Sequence, residues 1–162
     1  MADPRPLFDE TLRTELRSTV LCWLATVDAA GVPNVSPKEL FALRGDRELV
    51  IADVASPGSV RNIRANPAVC VSFVDVFRQR GFKITGTATL LAPSDPGFAE
   101  AGAELLRMAG DDFPIRHVIV VRAERVARIL APSYVLFPGR SEEERMRAAY
   151  DRYGVRPVEQ AR

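Results

Sequence analysis

Short strand-like segments joined by turns constrain the fold of this chain more than any other feature. Residues 21–27 and 32–37 flank the turn DAAG, and residues 39–43 and 48–54 flank the turn RGDR, so two β-hairpins are predicted. The runs AVCVSFVDV, FKITGTATLLA and HVIVVRAERVARILA are rich in β-branched residues, which favours further strands. Because hairpins dominate, we expect six strands in an antiparallel barrel with flanking helices, not a parallel nucleotide-binding sheet.

Helices are predicted around this sheet. Apolar residues recur every four positions over about 8–20, which indicates a covering helix on the core. A short helix is predicted from Ser56-Pro57 to Asn66-Pro67, and a longer one within SDPGFAEAGAELLRMAG. A serine followed three residues later by glutamate predicts a helical tail over about 141–153, packed through Tyr134, Phe137 and Tyr150. We therefore expect one domain over residues 1–162, with Gly86 marking a bulge or a close ligand approach.

Composition excludes several classes of protein. A net charge of +1 gives no argument for nucleic-acid binding. The amino terminus lacks a signal-peptide pattern, no long apolar run predicts a membrane helix, and Cys22 and Cys70 read as reduced core residues, so a cytoplasmic location is expected. With one histidine, His117, a multi-histidine metal site is excluded, and this residue is interpreted as a packed or edge strand residue. No motif of the dinucleotide-binding, P-loop or nucleophile-elbow type occurs.

Three polar segments remain as candidate binding elements. NVSPKE, residues 34–39, places an ammonium group, a hydroxyl and a carboxylate at a strand end, where Lys38 can stabilise negative charge on a planar ring. SPGSVRNIR, residues 56–64, surrounds a helix amino terminus with hydroxyls and arginines, which suits a phosphate. RQRGFK, residues 78–83, offers hydrogen-bond donors or forms a basic turn. Taken singly, each segment is equally compatible with a solvated strand end, helix face or turn.

Taken in order, LATVDAAGVPNVSPKELFAL, IADVASPGSVRNIRANPAVCVSFVD and QRGFKITGTATLL resemble the pyridoxamine 5'-phosphate oxidase-like family of FMN-binding split barrels. The likeness covers about residues 20–92, and the NIRANP element is its most specific part. It implies a six-stranded antiparallel split β-barrel, a bound FMN and a homodimer with flavin sites at the subunit interface. Many relatives carry a lysine or arginine where this chain has Ser59, so Arg61 is expected to compensate for that missing charge.

The resemblance also implies which residues contact the cofactor. The stretch from Asn34 to Lys38 would run beside the isoalloxazine ring and ribityl chain, and the next strand would lie under the cofactor. Phosphate contacts would come from the short helix, with Arg64 a weaker candidate, and the partner chain would supply residues near position 80. In full, the expected set is Asn34, Val35, Ser36, Pro37, Lys38, Ala52, Asp53, Val54, Ser59, Arg61, Asn62, Arg80, Gly81 and Lys83.

The expected function is an FMN-dependent oxidoreductase that transfers hydride or electrons to a small molecule, with no catalytic side chain identified. One alternative is a flavin carrier or sensor without turnover. Others are a deazaflavin-dependent reductase and, less favoured, a haem protein that would need His117 or a cysteine as ligand. A barrel that only binds other proteins has no supporting feature beyond the aromatic loop APSYVLFPGR and the helical tail.

Overall fold

A computed structural model describes residues 6–158 and contains one antiparallel sheet of seven strands. The sheet has the order β2-β1-β5-β6-β7-β4-β3 and curls into a half-barrel. Its strands are β1 (Cys22–Val27), β2 (Pro33–Lys38), β3 (Phe41–Arg44), β4 (Glu48–Asp53), β5 (Ala68–Asp75), β6 (Arg80–Leu91) and β7 (His117–Leu130).

The sheet has seven strands, one more than the six expected, and the segment that holds β2 and β3 contributes to both of its edges. β2 and β3 are separated only by Glu39 and Leu40, yet β2 pairs with β1 at one edge and β3 pairs with β4 at the other. The bend at residues 39–40 therefore joins the two edges of the curled sheet.

Two apolar clusters stabilise the sheet on its opposite faces. Leu49 and Ile51 of β4 point into the barrel, where they pack with Phe8, Phe73 and other buried residues. Val50 and Ala52 of β4 point outward and pack under the helices after β6. Because side chains alternate along a strand, β4 is apolar on both faces. This explains why residues 48–54 read as a nearly continuous apolar run.

Six helices flank the sheet: α1 (Glu10–Arg17), α2 (Pro57–Ala65), α3 (Phe98–Ala101), α4 (Ala103–Ala109), α5 (Ser133–Leu136) and α6 (Glu142–Tyr153). α1 is shorter than the predicted span, since Asp9 caps it and Val20 is exposed beyond its end. The predicted long helix is divided into α3 and α4 at Gly102, whose added Cβ would lie 2.7 Å from Val118 Cγ2. No helix within residues 6–158 is long and apolar enough to cross a membrane.

Gly86 lies at a break in the β6–β7 register. The pairing shifts between Thr85 and Gly86, which is the signature of a β-bulge. A Cβ on Gly86 would lie 2.0 Å from the Arg122 carbonyl oxygen. The predicted bulge is present, and the close approach is to the backbone of β7.

The C-terminal helices pack on the turn between β5 and β6. The Tyr134 hydroxyl donates to the Arg78 carbonyl oxygen over 2.8 Å, and the rings of Phe77 and Tyr150 lie 4.8 Å apart. Arg145 is buried and donates to the carbonyl oxygens of Ser133, Phe137 and Arg140, which ties α6 to α5. These contacts anchor the tail on its own chain.

Glu142 links this tail to the sheet and should make stability sensitive to acid. Its carboxylate accepts hydrogen bonds from Arg78 and Arg80, and the bond from Arg78 chiefly lowers the pKa of Glu142. A carboxyl group with a lowered folded-state pKa stabilises the protein above its ordinary value, 4.5, and this contribution is lost as the pH falls below it. We expect Glu142→Gln to flatten the decline in the free energy of unfolding between about pH 5 and pH 3.

Urea unfolding at several pH values measures this effect. Glu143→Gln is the matched control, because Glu143 is exposed on the same helical turn. Equal acid dependence in both variants would show that the contacts of Glu142 do not contribute.

Candidate functional site

Two cavities meet at Ser56, where β4 leads into α2. The apolar cavity has a volume of about 290 Å³ and is lined by Leu21, Pro37, Lys38, Glu39, Leu40, Ala52, Val54, Ala55, Ser56 and Phe113. The basic cavity has a volume of about 400 Å³ and is lined by Asp53, Ser56, Pro57, Val60, Arg61, Arg64, Arg116 and His117. One cavity thus offers mainly aliphatic walls and its neighbour offers three guanidinium groups.

Asp53 shapes the turn between these cavities. It ends β4, and its Oδ1 accepts the backbone N–H of Ser56 over 2.8 Å. Pro57 then starts α2, which suits proline because the first N–H groups of a helix have no partner within it. The Ser56 side chain makes no capping bond to the helix and instead accepts a hydrogen bond from Lys38 Nζ. Asp53 and Ser56 therefore hold both the helix start and the lysine.

Lys38 places a buried amino group in the wall of the apolar cavity. It is the last residue of β2, and only 6% of its surface is exposed. Burial lowers the pKa of Lys38, and the negative charge of Asp53 opposes that shift. An amine held this way can donate to a polar atom of a ligand bound between the aliphatic walls.

His117 connects Asp53 to the arginines of the basic cavity. The β4–β7 register places His117 opposite Asp53, and His117 Nδ1 lies 2.9 Å from Asp53 Oδ2. Its other nitrogen, Nε2, lies 3.3 Å from Arg64 Nη2. Since guanidinium only donates, Nε2 must accept and Nδ1 must carry the proton that is donated to Asp53. Both neighbours therefore favour one neutral tautomer.

Some of the residues expected to contact the cofactor line one of the two cavities, and others line neither. Pro37, Lys38, Ala52 and Val54 line the apolar cavity, and Asp53, Arg61 and Arg64 line the basic cavity. Asn34 and Val35 are exposed on the edge strand β2, Ser36 beside them is half-buried, and none of the three lines either cavity.

Ser59 and Asn62 face the sheet from α2 instead of facing the cavities. Both are buried, and Asn62 Nδ2 donates to Thr26 Oγ1 over 3.1 Å. The Ser59 hydroxyl has no hydrogen-bond partner among the residues that the structure describes. Positions 59, 62 and 63 share the inner face of the helix, whereas Arg61 and Arg64 lie on the outer side. Of the expected phosphate contacts on α2, the two arginines are therefore the ones at a cavity.

The three residues expected to reach a partner's cofactor lie at the start of β6, away from both cavities. Arg80 is engaged within its own chain, with Nε 2.9 Å from Glu15 Oε1 and a second ion pair to Glu142. Gly81 is buried against β5, and Lys83 is exposed. Their contact with a second subunit remains a prediction.

Sequence reasoning missed part of both cavity walls. Arg116 and His117 were not predicted at the site, because the local pattern of HVIVVRA indicates only a strand. Leu21, Leu40 and Phe113 were likewise missed, since isolated apolar residues give no signal of a cavity. The pairing of β4 with β7, 64 positions apart at Asp53 and His117, brings Arg116 and His117 to the site.

Comparisons with known proteins identify the family. The family model described as pyridoxamine 5'-phosphate oxidase matches residues 8–129. No curated protein sequence matches the chain.

Three solved structures illustrate the likeness of fold. HupZ of Group A Streptococcus is 23% identical with a TM-score of 0.66, covering 76% of this chain and 94% of that chain. An FMN-binding protein of Syntrophomonas wolfei is 14% identical with a TM-score of 0.63, covering 75% and 86%. A protein named F420 reductase is 25% identical with a TM-score of 0.55, covering 74% and 98%. Since the family model spans most of the chain and the curled sheet matches these structures, the chain belongs to the pyridoxamine 5'-phosphate oxidase family of split barrels.

Proposed function

We propose that this protein binds FMN across the apolar and basic cavities and uses it to transfer hydride or electrons to a small substrate. The observation that carries this proposal is the junction at Ser56 of an aliphatic cavity with a cavity lined by three arginines. A planar ring with a phosphate-bearing chain has the same division into an apolar and an anionic part. The names of two structural neighbours, an FMN-binding protein and an F420 reductase, support a ligand of the flavin class.

The residues present fit such a ligand. Arg61 and Arg116 form no ion pair or hydrogen bond through their side chains within residues 6–158, and the side-chain hydrogen bond of Arg64 in that range is to His117. Guanidinium groups bind phosphate oxygens through charge-assisted, often bidentate, hydrogen bonds. In the apolar cavity, Ala52 and Val54 supply aliphatic wall and Lys38 supplies a donor for the ring.

The protein's part in the reaction is binding, orientation and exclusion of water. A bound flavin supplies the capacity to accept and release hydride or electrons. Lys38 orients the ring from a fixed position, because β2 and the hydrogen bond to Ser56 hold its side chain. Its positive charge would also stabilise negative charge on the ring of a bound flavin. Small aliphatic side chains keep water away from that face.

The subunit arrangement proposed is a twofold homodimer. β2 is an edge strand, and Trp23, Val32 and Val35 on or beside the β1–β2 hairpin expose 43%, 58% and 58% of their surfaces. An apolar edge of this kind is normally covered in the native protein. In the proposed dimer, a second copy of the chain covers this edge. We further propose that the protein acts in the cytoplasm, where its two free cysteines would stay reduced.

A deazaflavin is the second candidate, and the size of the basic cavity favours it. Three arginines surround about 400 Å³, which is more space and more positive charge than one phosphate requires. A coenzyme whose tail carries several anionic groups would use all of them. Comparing the affinities of FMN and of a deazaflavin with such a tail decides between the two ligands.

A carrier or sensor function predicts flavin binding without reduction by a nicotinamide cofactor.

Arg61→Ala tests the phosphate assignment. We expect the affinity for FMN to fall by about 10-fold to 100-fold, because one charge-assisted contact worth about 1.5–3 kcal/mol is lost. Riboflavin lacks the phosphate, so its affinity should not change. Quenching of flavin fluorescence on titration measures both affinities.

Arg152→Ala is the matched control, since Arg152 is exposed on α6 and lines neither cavity. If wild-type protein binds neither flavin, the proposed function is wrong. If Arg61→Ala binds FMN as tightly as wild-type protein does, the phosphate lies elsewhere.

A further inference from the structure

Asp53, His117 and Arg64 are joined by side-chain hydrogen bonds, an arrangement that flavin binding does not itself require. Asp53 is 2% exposed, so its carboxylate gives His117 Nδ1 a fixed and sheltered acceptor. On the opposite side of the ring, Nε2 points toward Arg64 in the wall of the basic cavity. With Nδ1 donating to Asp53, the lone pair of Nε2 lies at the cavity.

The groups that face this imidazole come from four parts of the fold. β4 contributes Asp53, α2 contributes Arg61 and Arg64, and Arg116 precedes His117 in the chain. On the other side, a shallower cavity is lined by both His117 and Asp95 of the loop after β6. Lys38 is linked to Asp53 indirectly: Lys38 Nζ donates to the Ser56 hydroxyl, and the Ser56 backbone N–H donates to Asp53. Two carboxylates and several cations thus surround the ring, and an anion in the basic cavity would add negative charge beside Nε2.

An anion in the basic cavity would change the hydrogen bonding of His117 directly. Its oxygens would attract the donors of Arg64, which now point at Nε2. The Nε2 lone pair would then face an anionic oxygen, and two acceptors repel. A proton on Nε2 turns this repulsion into a charge-assisted hydrogen bond, while Nδ1 keeps its bond to Asp53.

We propose that His117 is a proton-linked anion ligand: binding of a phosphate or similar oxyanion between Arg61, Arg64 and Arg116 is accompanied by uptake of one proton at His117 Nε2. Asp53 acts as the positioning residue that keeps the imidazole turned toward the cavity. The inference rests on the proposed function in that the natural oxyanion would be the phosphate of the flavin. Anion affinity then falls as the pH rises through the range where histidine loses its charge, by up to about tenfold per pH unit.

Sulfate is the first probe, because it keeps its charge between pH 5 and 8, whereas a phosphate monoester itself titrates near pH 6. His117 is the only histidine, so tag-free protein gives one set of imidazole signals in a nitrogen-15 NMR spectrum. We expect the neutral tautomer protonated at Nδ1 without sulfate at pH 7, and protonation of both nitrogens when sulfate is bound. An imidazole that stays neutral in the saturated complex would overturn the proposal without any mutation.

Calorimetry in buffers of different ionisation enthalpy counts the protons taken up. We expect close to one proton per sulfate in wild-type protein and none in His117→Gln, with the arginines still binding the anion in that variant. FMN is then tested in the same way. Sulfate binding with proton uptake but no FMN binding would remove the proposed function and leave the proton-linked site. FMN binding with the same proton uptake in wild-type and His117→Gln would leave the flavoprotein and reject the role of His117.

Discussion

Replacing Gly81 with alanine should lower the free energy of unfolding by about 3 kcal/mol or more. Gly81 lies beside β5 at the start of β6, and an added Cβ would be 1.9 Å from the Phe73 carbonyl oxygen and 2.9 Å from its carbonyl carbon. Both contacts are to backbone, so no side-chain rotation can relieve them. β5 and β6 would have to separate where Phe73 and Phe82 pack, with ring centroids 5.9 Å apart in the core.

Gly58→Ala is the matched control for this change. Gly58 lies in the first turn of α2, and no atom lies within 4 Å of its added Cβ. Alanine there should raise stability by about 0.5–1 kcal/mol, because it favours the helix and restricts the unfolded chain. Urea unfolding without flavin measures both variants. Near-wild-type stability of Gly81→Ala would leave contact with a partner's cofactor as the reason for a glycine at this position.

Local patterns were sufficient to predict the strands and hairpins of this fold. Turn residues and β-branched runs mark each strand separately, and the Ser141 capping box marks the start of α6. β2 and β3 were predicted as strands of two successive hairpins, but their placement at opposite edges of one sheet could not be predicted in this way. It depends on how far the whole sheet curls, which is set by pairing between strands far apart in the chain.

Residues of the candidate site could be predicted from the sequence only where they belong to a short motif. Lys38, Ala52 and Val54 belong to segments that resemble the family, and the structure places them in one cavity wall. Ser59 belongs to the same motif, but the rotation of α2 turns its side chain toward the sheet. His117 lies outside any motif and reaches the site only through the β4–β7 register. Residues of this last kind need the tertiary structure to be found.

Asp53→Asn should cost about 3 kcal/mol of stability and disturb both cavities together. The amide oxygen can still accept the Ser56 N–H, but the amide nitrogen then faces His117 Nδ1–H, and two donors meet. Moving the histidine proton to Nε2 relieves that conflict and creates another with Arg64. The change also removes the negative charge that counteracts the effect of burial on the pKa of Lys38.

Asp46→Asn provides the comparison, because Asp46 also pairs with a basic side chain, that of Arg13, but its own side chain is 69% exposed on the β3–β4 turn. Exposed pairs contribute at most about 1 kcal/mol, so this variant should stay close to wild type. Urea unfolding gives the stabilities, and the nitrogen-15 spectrum of His117 reports whether its tautomer becomes mixed. A stable Asp53→Asn protein with an unchanged histidine spectrum would mean that Asp53 neither holds the turn nor sets the tautomer. Loss of stability together with a mixed tautomer would show that one buried carboxylate both holds the turn at Ser56 and sets the tautomer of His117.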